Sequence, residues 1–304
     1  MPSTASLGKG ILLVLVGLTQ AGCQGTGSSS QGEPYTPPAE LEPDSIGYFL
    51  AEYDKSLRRW TDLRLAPASQ RDARMLRALD LNLRQRAIKR KQELVGVLET
   101  GPRSNREVAA VALGFTGDPS VLSPLLAALA DPNESVVEKV LLGLGVLADP
   151  ETPLAKILFL LQAATQPWTR SNAAYALHCI VAAGGNDDSL PEACRMALTD
   201  EEPGVRAQAA SVLGMIHDAD SIQNLGDLLQ DDVNLALQAA ATALARIGRE
   251  HVEKKGVVAR LLVDALDRVE RSQRPWLIRE LMRLADRNLG EESDPWREWA
   301  YRLP

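Results

Sequence analysis

The sequence has few aromatic residues and few of the side chains that usually hold metals. Phe, Trp and Tyr make up 4% of the 304 residues, and there are only three Cys and three His. No HExxH or paired CxxC spacing occurs, so the sequence predicts no metal site. The glycine-rich phosphate-binding patterns and the GxSxG nucleophile pattern are missing as well. We therefore expect no cofactor, no metal and no catalysis.

The composition favours helices over strands. Apolar residues make up 45% of the chain and are mostly Ala and Leu, which rank high in helix propensity, whereas strands prefer aromatic and β-branched residues. The net charge of −7 speaks against nucleic-acid binding, for which a basic domain is typical. The composition therefore predicts an all-α protein with no nucleic-acid partner.

Long apolar runs are also missing. The apolar run at residues 11–18 follows the single charged residue Lys9 and is too short to span a membrane. A basic residue, a short apolar run and small residues after it are typical of a secretory signal peptide. We therefore predict that residues 1–22 are a signal peptide.

The end of this segment resembles a bacterial lipobox. Residues 18–23 are Leu-Thr-Gln-Ala-Gly-Cys, and the resemblance implies that Cys23 is lipidated, although Gln20 stands where a lipobox usually has an aliphatic residue. It further implies a membrane-anchored protein of the bacterial cell envelope, on the periplasmic side of the outer membrane if the cell has two membranes. Two alternatives stay open: cleavage after Ala21 to give a soluble exported protein, or a retained membrane anchor.

Residues 23–44 are rich in Gly, Ser, Pro and Glu and show no apolar periodicity. Such a segment cannot bury enough apolar surface to order itself, so we predict a disordered tether. A flexible chain of this length has a root-mean-square reach of roughly 25 Å.

A repeat of about 33 residues occupies most of the remaining chain. Its anchoring leucines are Leu113, Leu144, Leu177, Leu213 and Leu244, with Leu284 in a degenerate sixth copy. Each copy continues into a turn and a second amphipathic segment with helical spacing. Because one helix pair cannot bury its apolar face alone, the copies are expected to stack into a solenoid. We assign residues 103–304 to this solenoid, including a C-terminal cap.

Residues 105–129 resemble the HEAT repeat family, in particular its phycobilin-lyase-type branch, and the resemblance extends over about residues 103–270. It implies a right-handed α-solenoid of stacked antiparallel helix pairs. In such solenoids the second helices generally line the concave side, so a groove is expected from the segments 119–130, 152–165, 189–199, 220–230 and 258–270. Lyase activity is not implied, because the similarity lies in the structural repeat.

Two helices, at about 45–64 and 69–99, are predicted for the N-terminal segment 45–102. The second helix carries eight basic residues that are candidates for electrostatic docking: Arg71, Arg74, Arg77, Arg84, Arg86, Lys89, Arg90 and Lys91. Three interpretations are open: a solvated helix face, a docking face for an acidic partner or another copy, or contact with anionic lipid headgroups.

Charge is unevenly distributed along the chain. Residues 45–100 carry a net charge of +5, whereas residues 101–232 carry −11. The acidic part either attracts a basic partner or simply keeps the surface soluble. At the C-terminus, Trp296 and Trp299 belong to a last helix that either caps the array or presents an aromatic patch to a partner.

Cys179 and Cys194 lie at equal distances from a predicted turn between two helices. Neighbouring positions of this kind allow a disulfide in an exported protein. The alternative is a pair of buried thiols that act as small apolar residues.

Together these features predict a membrane-tethered scaffold that binds a protein or peptide in the cell envelope. The alternative is a structural lipoprotein that self-associates through its basic helices and acidic repeats. A bilin-lyase-like enzyme is a more distant alternative.

Overall fold

The computed structural model describes residues 45–65 and 69–304, and these residues form fifteen α-helices and no β-strand. The predicted all-α solenoid of stacked helix pairs is therefore confirmed. The signal peptide, Cys23 and the tether were predicted for residues 1–44, which lie outside the described residues.

Fourteen of the helices alternate along the chain between two rows, and we call each helix of the first row together with the helix that follows it a pair. The first helices, which we call the first-helix row, are α2 (Gln70–Lys89), α4 (Arg103–Phe115), α6 (Glu134–Leu147), α8 (Pro167–Ala182), α10 (Pro203–Met215), α12 (Asn234–Glu250) and α14 (Arg274–Ala285). Their partners, the second-helix row, are α3 (Lys91–Thr100), α5 (Leu122–Ala128), α7 (Ala155–Ala163), α9 (Leu190–Ala197), α11 (Ile222–Leu228), α13 (Lys255–Arg268) and α15 (Ser293–Tyr301). The remaining helix, α1 (Ile46–Leu65), packs against α2 and α4.

The N-terminal segment contains three helices where the sequence predicts two. The helix expected over residues 69–99 is divided at Arg90, whose backbone (φ −115°, ψ 19°) leaves the α region. Lys91 Nζ then donates to Asp118 Oδ2 at 2.5 Å, which ties the start of α3 to the following pair. No Gly or Pro marks this turn in the sequence, and apolar spacing continues across it. The pair α2–α3 is thus an additional member of the array.

Small residues let the helices of the first-helix row pack backbone to backbone. A Cβ atom at Gly114 would overlap the carbonyl oxygen of Gly143, and one at Gly143 would overlap the carbonyl oxygen of Ala110. Farther along, a Cβ at Gly214 would lie 2.6 Å from the Cα of Ala243. A side chain at any of these positions would push two helices apart.

The two rows differ in spacing, and this difference sets the curvature. Most successive first helices pack extensively against each other, whereas successive second helices contact each other much less. A stack that is closer on one side curves toward that side, so the first-helix row is concave. The expectation that the second helices line the concave side is therefore wrong for this chain, because Gly and Ala draw the first helices together.

In three pairs, an arginine near the start of the first helix binds an aspartate in the turn that follows the second helix. Arg170 Nε and Nη2 donate to the two carboxylate oxygens of Asp200 at 2.7 and 3.1 Å. The same bidentate geometry recurs in two other pairs, Arg106–Asp131 and Arg206–Asp231. In the α6–α7 pair, Val137 replaces the arginine and Ala164 replaces the aspartate.

The two ends of the array are covered. At the N-terminal end, α1 buries Leu50, Tyr53 and Trp60. At the C-terminal end, α15 packs against α13 and buries Trp296 and Trp299, whose rings meet edge to face at 5.9 Å. These two tryptophans therefore serve the fold and are not displayed on the surface.

Candidate functional site

Three buried polar atoms that the sequence patterns do not reveal have no hydrogen-bond partner among the described residues: Arg64 Nε on α1, His178 Nδ1 on α8 and Gln208 Oε1 on α10. Trp60 lies beside Arg64, whose guanidinium carbon is 4.8 Å from the centre of the ring. The charge of Arg64 acts on His178 and on Tyr175, so α1 reaches the concave side of the array.

Burial and two nearby arginines keep His178 uncharged. Burial lowers the pKa of His178 to about 4, and the nearby charges of Arg246 and Arg64 add to the effect. Burial also raises the pKa of Tyr175, which shares a hydrogen bond with Cys179. His178 is therefore neutral at neutral pH, and no carboxylate contributes to its pKa shift.

Three of the eight candidate docking residues serve the fold. The Arg86 guanidinium lies 5.3 Å from the ring centres of both Phe49 and Tyr53, and Arg90 lies at the same distance from Phe49. Lys91 is bound to Asp118, as described above. These contacts attach α1 and α3 to their neighbours, so the three cations are not available for a partner.

The other five candidates, by contrast, face solvent. They form no ion pair with any other described residue, and helical spacing places them on one side of α2 together with two exposed apolar residues. Leu81 is 62% exposed and Ile88 is 51% exposed. We call this surface the α2 face; it consists of Arg71, Arg74, Arg77, Leu81, Arg84, Ile88 and Lys89 and contains no acidic residue.

The second-helix row exposes two large apolar side chains near its middle. Phe159 on α7 is 66% exposed and Met196 on α9 is 59% exposed. Gln162 Nε2 on α7 lies 3.9 Å from Met196 Sδ on α9. The two helices therefore present a continuous surface. Because second helices diverge, an open cleft of about 320 Å³ also lies between α3 and α5.

Cys179 and Cys194 are free thiols in the structure, so the disulfide considered from the sequence is not formed. Cys179 neighbours Tyr175, whereas the charges that act on Cys194 are those of Asp218 and Arg195. Burial raises the pKa of Cys194 to about 12. The two residues thus behave as the buried thiols of the alternative interpretation.

The described residues contain neither a membrane-spanning helix nor a cluster of metal-binding side chains. None of their helices combines the length and the apolar character that crossing a bilayer requires. In the same part of the chain, no three Cys, His, Asp or Glu side chains are placed together so that they could hold a metal ion.

Several solved structures resemble the fold. A designed armadillo repeat protein in complex with the peptide (KR)4 is 16% identical, with a TM-score of 0.43 over 64% of this chain and 99% of that one. The complex of CpcE and CpcF of phycocyanin lyase from a Nostoc species is 18% identical, with a TM-score of 0.42 over 86% and 99%. Human deoxyhypusine hydroxylase is 20% identical, with a TM-score of 0.37 over 79% and 98%.

The curated proteins include no match to this sequence. The family model described as HEAT repeats, in contrast, matches residues 92–178, 154–245 and 190–282. These overlapping matches cover more than half of the chain and include every helix pair from α4–α5 to α12–α13. The chain belongs to the HEAT repeat family.

Proposed function

We propose that this protein is a lipid-anchored scaffold of the bacterial cell envelope that binds a protein or peptide partner on its second-helix row. In this proposal Cys23 carries the lipid, residues 23–44 form the tether, and the helical array supplies the binding surface without catalysis of its own. A HEAT array suits this role because stacked pairs give an extended, rigid surface from repeated short elements.

The exposure of Phe159 and Met196 is the observation that carries the proposal. Large apolar side chains are buried in most of this array, yet these two stand more than half exposed on neighbouring second helices. Aromatic residues and Met are enriched in protein–protein interfaces, and buried aromatic anchors often supply much of the binding energy. A partner that covers this pair would remove both side chains from water.

The concave side, which the first-helix row forms, is a poorer candidate for partner binding. Its first helices are in backbone contact at Gly114 and Gly143, and α1 packs against α4 and sends Arg64 toward the concave side. A partner on this side would have to displace α1, whose Trp60 is almost fully buried. Binding on the second-helix row requires no such rearrangement.

Site-specific photocrosslinking in living cells tests this proposal. A photoreactive amino acid at position 159 is expected to trap a defined envelope protein. The matched control is position 252, where Val252 is 68% exposed but lies in the turn before α13. A crosslinked species from position 159 alone supports the proposal, whereas identical products from both positions contradict it.

Membrane attachment is tested separately. Metabolic labelling with a fatty-acid analogue is expected to label the wild-type chain and not the Cys23→Ala variant. Equal labelling of both, or labelling of neither, contradicts lipidation at Cys23.

A further inference from the structure

We propose that the α2 face lies on an anionic lipid surface and so orients the array on the membrane. In this arrangement the five cations approach phosphate headgroups, and Leu81 and Ile88 reach the boundary with the acyl chains. The inference rests on the membrane attachment proposed above, and it adds the side of the protein that meets the bilayer.

The chemistry of the α2 face matches such a surface. Its cations have no ion-pair partner among the described residues, so their charge is available to an external anion. Leu81 and Ile88 lie two turns apart on the same side of the helix, between basic residues. Basic residues that flank exposed apolar ones are typical of helices that lie in a membrane interface.

The folding of α1 onto α2 also places the first described residue, Ser45, near one end of this face. The two helices are antiparallel, because Tyr53 Oη donates to the carbonyl oxygen of Leu83 while Trp60 Nε1 donates to Asp80. The N-terminal end of α1 therefore lies near the C-terminal end of α2, where Arg86 covers Phe49.

The lengths of the two segments agree with this arrangement. The 20 residues of α2 span about 30 Å, and the predicted tether reaches roughly 25 Å. A lipid on Cys23 would consequently hold the protein within reach of the bilayer at the end of α2 that carries Arg84, Ile88 and Lys89.

Charge on the rest of the molecule favours the same orientation. Residues 101–232 carry a net charge of −11 and would be repelled by an anionic bilayer, whereas the α2 face would be attracted. The α2 face is also the exposed side of a single helix and forms no groove. Peptides are usually recognised in grooves or along strand edges, whereas a lipid surface requires neither, and we therefore favour lipid over an acidic peptide.

The test measures vesicle binding of the mature chain, residues 23–304, with Cys23→Ala so that no acyl chain contributes. Binding is expected to vesicles of phosphatidylglycerol mixed with phosphatidylcholine and not to phosphatidylcholine alone. Because each basic residue near an anionic surface strengthens binding about fivefold, the triple variant Arg74→Gln, Arg77→Gln, Arg84→Gln should bind about 100-fold more weakly.

A matched control separates a specific face from net charge. Arg268, Arg271 and Arg287 are exposed and form no ion pair within the described chain, so the corresponding triple Gln variant has the same net charge. It is expected to bind within about twofold of the parent chain, since its arginines lie at the far end of the array. Equal weakening by both triple variants, or no binding to anionic vesicles, overturns the proposal.

Two further measurements distinguish other occupants. The double variant Leu81→Gln, Ile88→Gln should bind roughly tenfold more weakly even at high salt, because it removes the apolar contribution. Sedimentation velocity without lipid is expected to show a monomer. An oligomer that the α2 triple variant dissociates would instead assign the face to a second copy and overturn the proposal. Crosslinking at position 159 is independent of all these results, so a failure here leaves the proposed partner binding standing.

Discussion

The first-helix row and the second-helix row have the same repeat period but differ in how closely their successive helices pack. In the first-helix row, small residues let backbones touch, and whole turns such as residues 109–116 are buried on every side. In the second-helix row the helices diverge, and each buries only a narrow apolar stripe, such as Leu158 and Leu161 on α7. Small side chains thus allow backbone contact in one row, whereas the large apolar side chains of Phe159 and Met196 stay exposed in the other.

The greatest effect is expected where the backbones of the first-helix row touch. In the variant Gly143→Ala the new Cβ would overlap the carbonyl oxygen of Ala110, so two helices would have to separate. We expect the free energy of unfolding to fall by about 3 kcal/mol, as for severe overpacking of a core. Chemical denaturation followed by circular dichroism measures this change.

The second-helix row supplies the control for this substitution. Gly96 on α3 is exposed, and no atom lies within 4 Å of the position that an added methyl group would take there. Gly96→Ala should leave stability unchanged or raise it by up to about 1 kcal/mol, because Ala is the better helix former. If Gly143→Ala proves as harmless as Gly96→Ala, then close approach does not hold the first-helix row together.

The pH dependence of stability tests the buried group on the concave side. The folded-state pKa of His178, about 4, lies below its unfolded value of about 6.5, so between these values the unfolded chain binds more protons. Stability from this residue is present above the unfolded pKa and is lost as the pH falls toward the folded pKa. Between about pH 7.5 and about pH 5, wild type should lose about 2 kcal/mol more than His178→Gln.

Urea denaturation of both chains at the two pH values measures this difference. Identical pH profiles for wild type and His178→Gln would contradict the burial of this imidazole beside Arg64 and Arg246.

A smaller effect is expected at the connections between the two rows. Asp200→Ala leaves the guanidinium of Arg170, which is 10% exposed, without its bidentate partner, and stability should fall by about 1–2 kcal/mol. Adding Arg170→Val reproduces the natural combination of Val137 and Ala164 and should restore at least half of the loss. Differential scanning calorimetry of the single and double variants measures both steps.

An exposed pair provides the comparison for this test. Glu298→Ala removes the partner of Arg302 on α15, where both side chains are mostly exposed, and should change stability by less than about 0.5 kcal/mol. Arg170 also donates to the carbonyl oxygens of Ala164 and Thr165 and to Glu201, so a double variant less stable than Asp200→Ala would show that the arginine contributes mainly through these other bonds.

The sequence was sufficient for the repeat but not for its curvature. Leucine spacing predicted the helix pairs because burial of one face follows a local period. The break at Arg90 has no local signal, since neither Gly nor Pro stands there. The concave side depends on the approach of Gly114 to Gly143, which only the folded chain reveals. The surroundings of His178 on α8 escaped prediction because the charges that act on it come from Arg64 on α1 and Arg246 on α12.

The least change is expected from Phe159, the residue on which the proposed partner binding rests. Phe159 is 66% exposed, whereas its neighbour Leu158 is 5% exposed. Phe159→Ala should alter stability by no more than about 0.5 kcal/mol, and Leu158→Ala should cost about 2–4 kcal/mol. Thermal unfolding of the two variants makes the comparison. A large loss from Phe159→Ala would mean that the ring supports the fold and would remove the basis for a binding role. If stability is unchanged, the exposed ring contributes nothing to the isolated array and stays available for the proposed contact with a partner.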